Sequence, residues 1–180
     1  MRGEEPLRGQ EPVRRQEVRS LLVAWVAAGI AGSIVFWLVQ VLSGGPTITA
    51  YLGEQIVSGG GYPEGLSALV GWAVHLGVSL SYALLFGAIV AMTRRASFVN
   101  MALVTLVAAL VLGWVTAVIA PPAISVTIGL LTRQGWPGDL FPPNYEVGLP
   151  LWNHVLFFLL NWVLQSLGPP LGAKARGVQS

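Results

Sequence analysis

Cysteine is absent from the 180 residues. That removes disulfides, thiolate nucleophiles and Cys-based metal sites, and it leaves the redox compartment open. Charge is scarce as well. Asp, Glu, Lys and Arg make up 10% of the chain, against roughly 25% in a soluble domain. So few charges cannot coat a globule of this size in water. Only two histidines occur, and the long apolar stretches hold no Asp or Glu. General acid–base chemistry therefore has few candidate groups. Basic residues are few and scattered, which speaks against a nucleic-acid surface.

What the chain does have is four uncharged stretches, residues 20–53, 65–93, 96–132 and 147–173. Each is long enough to cross about 30 Å of hydrocarbon, which takes about 20 apolar residues in a helix. The expectation is an all-α bundle of four transmembrane helices, residues 20–168, in contact with the lipid bilayer. Spans are predicted at residues 20–42, 66–92, 99–120 and 149–167. Residues 1–19 are mixed in charge and rich in Pro and Gln, so they read as a disordered tail. Residues 169–180 read as a second tail. The first apolar run exceeds the usual 7–15-residue signal core, so it reads as a retained helix.

Breakers divide the connections. Ser43, Gly44, Gly45 and Pro46 end the first span. Ile48, Leu52 and Ile56 then recur at one helical face, which predicts a short interfacial helix. Pro121 and Pro122 predict a stop or kink after the third span, with residues 123–131 as a second interfacial or re-entrant helix. Arg14, Arg15, Arg19, Arg94, Arg95, Lys174 and Arg176 all flank one side, while Arg133 stands alone on the other. The positive-inside rule then makes both termini cytoplasmic and both long connections outward.

The two outward connections share an order of features. Residues 46–53 align with 122–129, Gly61-Tyr62-Pro63 with Gly135-Trp136-Pro137, and Trp72 and His75 with Trp152 and His154. This suggests a two-span repeat about an axis along the membrane normal.

Lipid gives helices no hydrophobic reason to associate, so small residues are expected at their interfaces. Such stripes run through Ala24, Ala28 and Gly32; through Gly71, Ser79, Ala83, Gly87 and Ala91; and through Thr105, Ala109, Gly113 and Ala117. Phe157, Phe158 and Trp162 in the last span have the bulk to fill the notches. Trp25, Trp114, Trp136 and Trp152 read as membrane-boundary anchors.

Polar side chains inside spans are costly against lipid and should turn inward. His75, His154, Gln40, Asn153 and Asn161 form the candidate cluster or ligand site, with Gln165 on the same face as His154 and Asn161. One reading is that they hydrogen-bond one another and fix helix register. A second is a haem b electron-transfer subunit with His75 and His154 as axial ligands. A third is a small oligomeric proton or ion channel or transporter. Zinc would need Glu54, Asp139 or Glu146 to fold over the histidines. Ser79 and Ser81 near His75 do not make a triad, and Gly59-Gly60-Gly61 lacks the Lys and Ser/Thr of a phosphate loop. The expected protein is therefore no enzyme and needs no cofactor. It acts as a scaffold, an accessory subunit beside other membrane subunits, or a stress-related factor.

His75 in the second span, Pro121 and Pro122 after the third, Gly135-Trp136-Pro137, and Asn153-His154 opening the fourth resemble the YagU-type bacterial inner-membrane proteins. The likeness covers residues 66–167. Asn153 stands where that group has Gly, and the third span lacks a further His. The resemblance implies four spans and a bacterial inner-membrane location, without a settled activity.

Overall fold

The computed structural model describes residues 11–93 and 97–167, with side chains from Arg15 onward. The turn at residues 94–96 and the terminal segments 1–10 and 168–180 lie outside the described residues, and with them most of the tails expected from the sequence. The described chain is helical, with no strand among the described residues. Helix α1 spans Glu11–Leu42, α2 Ile48–Gly60, α3 Ser67–Thr93, α4 Phe98–Leu131 and α5 Leu149–Trp162. A π-helical turn, Val163–Leu167, prolongs α5.

Three helical stretches, Arg15–Leu42, Glu64–Thr93 and Phe98–Leu131, are long and apolar enough to cross a membrane, with mean hydropathies of 2.2, 1.9 and 2.5. Their outer faces carry Leu22, Val26, Ile30, Leu69, Leu85, Leu103 and Val107, all exposed. A surface of this kind suits lipid rather than water.

Helix α1 starts at Glu11, so residues 11–19 are helical where a disordered tail was expected. Pro12 sits at the first turn, where a missing N–H costs nothing, and no breaker follows it before Ser43.

Four helices share one core. Phe36 of α1, Phe86 and Val90 of α3, Ala109 of α4, and Phe157 and Phe158 of α5 meet there. Phe158 lies edge-on to Phe157 at 5.3 Å and to Phe86 at 6.2 Å, a favoured aromatic geometry. Close approach comes from small residues. A Cβ added at Gly32 would meet the Phe157 ring at 2.7 Å, and one at Gly113 would meet Val155 Cα at 2.7 Å. The notch at Gly87 is filled by the Trp25 indole. Trp25 therefore packs between helices instead of anchoring a boundary, whereas Trp114, Trp136 and Trp152 are exposed. Of the expected stripes, Ala28, Gly32, Gly71, Ser79, Ala83, Gly87, Thr105, Ala109, Gly113 and Ala117 are buried, Ala24 is half-buried and Ala91 is exposed.

Helix α2 buries Thr49, Leu52, Gly53, Ile56 and Val57. It runs back along α3, with Gly53 against the Ser67 carbonyl and Gly71 against the Thr49 carbonyl. Backbone touches backbone at both points, which only glycine allows. Gly61 (φ 66°) caps α2, and Tyr62 N–H donates to the Val57 carbonyl at 2.9 Å, a glycine C-cap.

The largest departure from the sequence reading is α4. It continues unbroken through Pro121 and Pro122, and residues 123–131 belong to it instead of forming a separate helix. Pro122 lacks the N–H that would reach the Val118 carbonyl. That carbonyl accepts from the Asn144 N–H at 3.1 Å instead. The connection from 133 to 148 thus satisfies the group that the proline orphans. Ser125 Oγ accepts from Phe141 N–H at 2.9 Å and gives the connection a second attachment. Replacing Pro122 by alanine restores the competing intrahelical donor. Hydrogen exchange at the Asn144 amide should then accelerate about tenfold, the worth of one modest hydrogen bond. Unchanged protection would mean that Asn144 is held by something else.

Candidate functional site: an interhelical cavity between two histidines

The apolar lining of α4 explains why a cavity forms. Ala117, Ala120, Pro121 and Ala123 present little bulk there, and Ser79 of α3 faces them across the space. The gap they leave measures about 290 Å³. Phe36 and Gln40 of α1, Ile48 and Leu52 of α2, and Pro150, His154 and Phe157 of α5 close it, and Asn144 covers it from the connection. Among the described residues, no charged side chain lines it.

Both histidines line this cavity. His75 is buried, and its Nε2–H donates to the Ser33 carbonyl of α1 at 3.3 Å. His154 donates from Nδ1–H to the Pro150 carbonyl at 2.8 Å. A carbonyl oxygen only accepts, so these bonds assign the neutral tautomers: His75 carries its proton on Nε2 and His154 on Nδ1. The Phe36 ring packs against both imidazoles, 5.4 Å from His75 and 5.1 Å from His154. Trp72 lies at the edge of His75 at 5.9 Å.

The remaining candidate residues separate. Gln40 lines the cavity, but its Oε1 accepts from the Ile48 N–H at 3.0 Å and so caps α2. Thr47 Oγ1 caps the same end by accepting from Ala50 N–H at 3.2 Å. Substituting Gln40 by leucine should lower stability by about 1 kcal/mol, the usual worth of a lost helix cap. Thermal unfolding in detergent measures it, and an unchanged midpoint would remove the cap from the account.

Asn153, 1% exposed, does not reach the cavity; its Nδ2–H donates to the Phe36 carbonyl at 2.9 Å. Asn161 lies lower, with its Nδ2–H on the Phe157 carbonyl. Gln165 Nε2–H donates to Asn161 Oδ1 at 2.8 Å and to the Ala83 carbonyl at 3.3 Å. The cluster expected at one place is therefore split three ways, into His75, His154 and Gln40 at the cavity, Asn153 on the Phe36 carbonyl, and an Asn161–Gln165 pair. Ser33 Oγ, Asn153 Oδ1, Gln165 Oε1 and Ser166 Oγ are buried without a hydrogen-bond partner among the described residues.

Sequence reasoning missed Asn144, because a polar residue in a Pro-rich loop carries no signal of where the loop folds back. Tyr82 was also missed, since tyrosine within a span reads as packing. Phe36 lay on the first small-residue stripe, yet its place against both histidines needed three helices in position.

A haem between His75 and His154 needs an iron-facing nitrogen from each and a planar gap between them. Phe36 stands against both rings, and His75 commits Nε2 to the Ser33 carbonyl. The residues as arranged do not fit that group. Among the described residues no cluster of three or more His, Asp or Glu is placed to hold a metal ion. No family model, no curated relative and no solved structure matches the chain.

Proposed function

We propose that this chain is a non-catalytic integral membrane protein of the bacterial inner membrane, a scaffold or accessory subunit with one binding cavity inside its bundle. In this reading α5 and its π-helical turn form a fourth span, and both termini are cytoplasmic. The observation that carries it is how the intramembrane polar groups are spent. His75 and Asn153 donate to carbonyls of α1, and Gln165 to a carbonyl of α3. Groups committed to neighbouring backbones fix register; they are not poised for proton transfer. The YagU-type likeness supports the bacterial placement.

The two-span repeat is part of the same reading. Ile48 and its aligned counterpart Ile124 line one cavity, as do His75 and His154. Gly61 and Gly135, aligned in Gly-aromatic-Pro motifs, both take left-handed backbone. In the first half a break separates α1 from α2, while in the second the matching segment continues α4.

The lack of native cysteine makes the topology directly measurable. Single cysteines at Gly44 and Gly138 should react with an impermeant maleimide from outside intact cells, while one at Ser97 should not. Labelling of Ser97 alone would overturn the orientation. The purified protein, expressed with haem supplied, should be colourless. A Soret band lost in both His75→Ala and His154→Ala would replace this reading with the haem one. Proton flux in liposomes abolished by the same substitutions would replace it with the channel one.

A further inference from the structure

The cavity has unspent hydrogen-bonding groups, and their chemistry selects a ligand. His154 donates from Nδ1, so its Nε2 is a bare acceptor, with no partner among the described residues. Ser79 is 4% exposed, lines the cavity, and its hydroxyl has no partner there either. The Tyr82 hydroxyl is likewise uncommitted on the same wall. Acceptors thus stand in a cavity with donors: by the same tautomer assignment His75 Nδ1 is a second acceptor on the lining, and the Gln40 and Asn144 amide N–H groups can donate as the two hydroxyls can. The group that answers both kinds is itself a hydroxyl, giving its proton to His154 Nε2 and accepting one from Ser79 or Tyr82.

The rest of the lining sets the body of the ligand. Phe36, Leu52, Val74, Val78, Ile124 and Phe157 are apolar. The absence of a charged lining residue makes an ion costly, because it would shed its hydration without a counter-charge. Size follows from volume. A dry cavity of about 150 Å³ accepts benzene; this one, at about 290 Å³, has room for an aromatic ring and a short chain. Resting on the reading of this cavity as a binding site, we propose that it takes a neutral apolar molecule bearing one hydroxyl, of the phenol or hydroquinone class, with that hydroxyl held by His154 and Ser79.

The test uses the full chain in detergent and two probes of one skeleton, 4-butylphenol and its methyl ether. Titration calorimetry measures both, with Ala120→Phe, which fills the cavity, as the blank for micelle partitioning. The phenol should bind about tenfold more tightly than the ether, the consequence of one extra hydrogen bond. His154→Leu should bring the phenol to the ether's affinity and leave the ether unchanged, and Ser79→Ala should weaken both probes, because the ether oxygen accepts from Ser79 as the phenol oxygen does. Equal binding of the two probes, both lost in Ala120→Phe, would overturn the hydroxyl assignment and leave the cavity as a binding site. Binding of neither probe to the wild type would overturn both. Should His154→Leu not fold, the probe pair on the wild type still decides.

Discussion

Leucine at position 71 is expected to destabilise the fold by about 3 kcal/mol, the upper range for overpacking a tight interface. Gly71 lies where α3 meets the Thr49 carbonyl of α2, backbone to backbone. A side chain there must force the helices apart. It would also disturb the neighbouring contact of Gly53 with the Ser67 carbonyl, since both belong to one crossing. Gly77 supplies the control on the same helix. It is exposed, and nothing lies within 4 Å of a Cβ built there. Gly77→Leu should change stability by no more than about 0.5 kcal/mol, as for an ordinary surface substitution. Unfolding followed by circular dichroism in mixed micelles measures both. Equal losses at the two sites would mean that α2 does not pack on α3 in this way.

Phe158→Ala is expected to cost nearly as much, for a different reason. Phe158 is 0% exposed and sits among Phe86, Phe157 and Tyr82. In water, such a deletion loses both transfer energy and packing. In a bilayer the separated helices stay in apolar surroundings, so the packing term alone remains. A void of about 100 Å³ at about 24 cal/mol per Å³ gives about 2.4 kcal/mol. Leu156→Ala, on the exposed side of the same helix, should fall well below that. A large loss at Leu156 with little at Phe158 would place the wrong face of α5 inward.

Much of this architecture was readable in the sequence. Small residues at steps of four mark interfaces because backbone approach is the main gain available to helices in lipid. Hence Gly32, Gly87 and Gly113 announced contacts later seen with Phe157, Trp25 and Val155. The sequence put both histidines on inward faces, and in the structure both line one cavity.

What failed to show was whatever depends on a distant partner. Pro121-Pro122 carries a local instruction to stop a helix, and nothing nearby reveals that Asn144 will return to accept the role of the missing donor. Gln40 has the look of a buried cluster member, but its partner is an amide across the Ser43–Thr47 break. Asn161 and Gln165 share a face with His154, yet α5 carries them to a lower level, where they pair with each other.

The carbonyls of Ser33 and Phe36 lie one turn apart on α1, and each is gripped by a different later helix, through His75 and Asn153. Helix α1, made before both, is therefore latched twice, and the second latch belongs to α5, which is made after α3. Until α5 is delivered, the Phe36 carbonyl lacks its Asn153 donor and α1 lacks its contacts with α5, such as Gly32 against Phe157. A nascent chain cut short before Leu149 should thus be recognised by membrane proteases and cleared faster than the full-length product, and a pulse-chase comparison of the two lifetimes measures this.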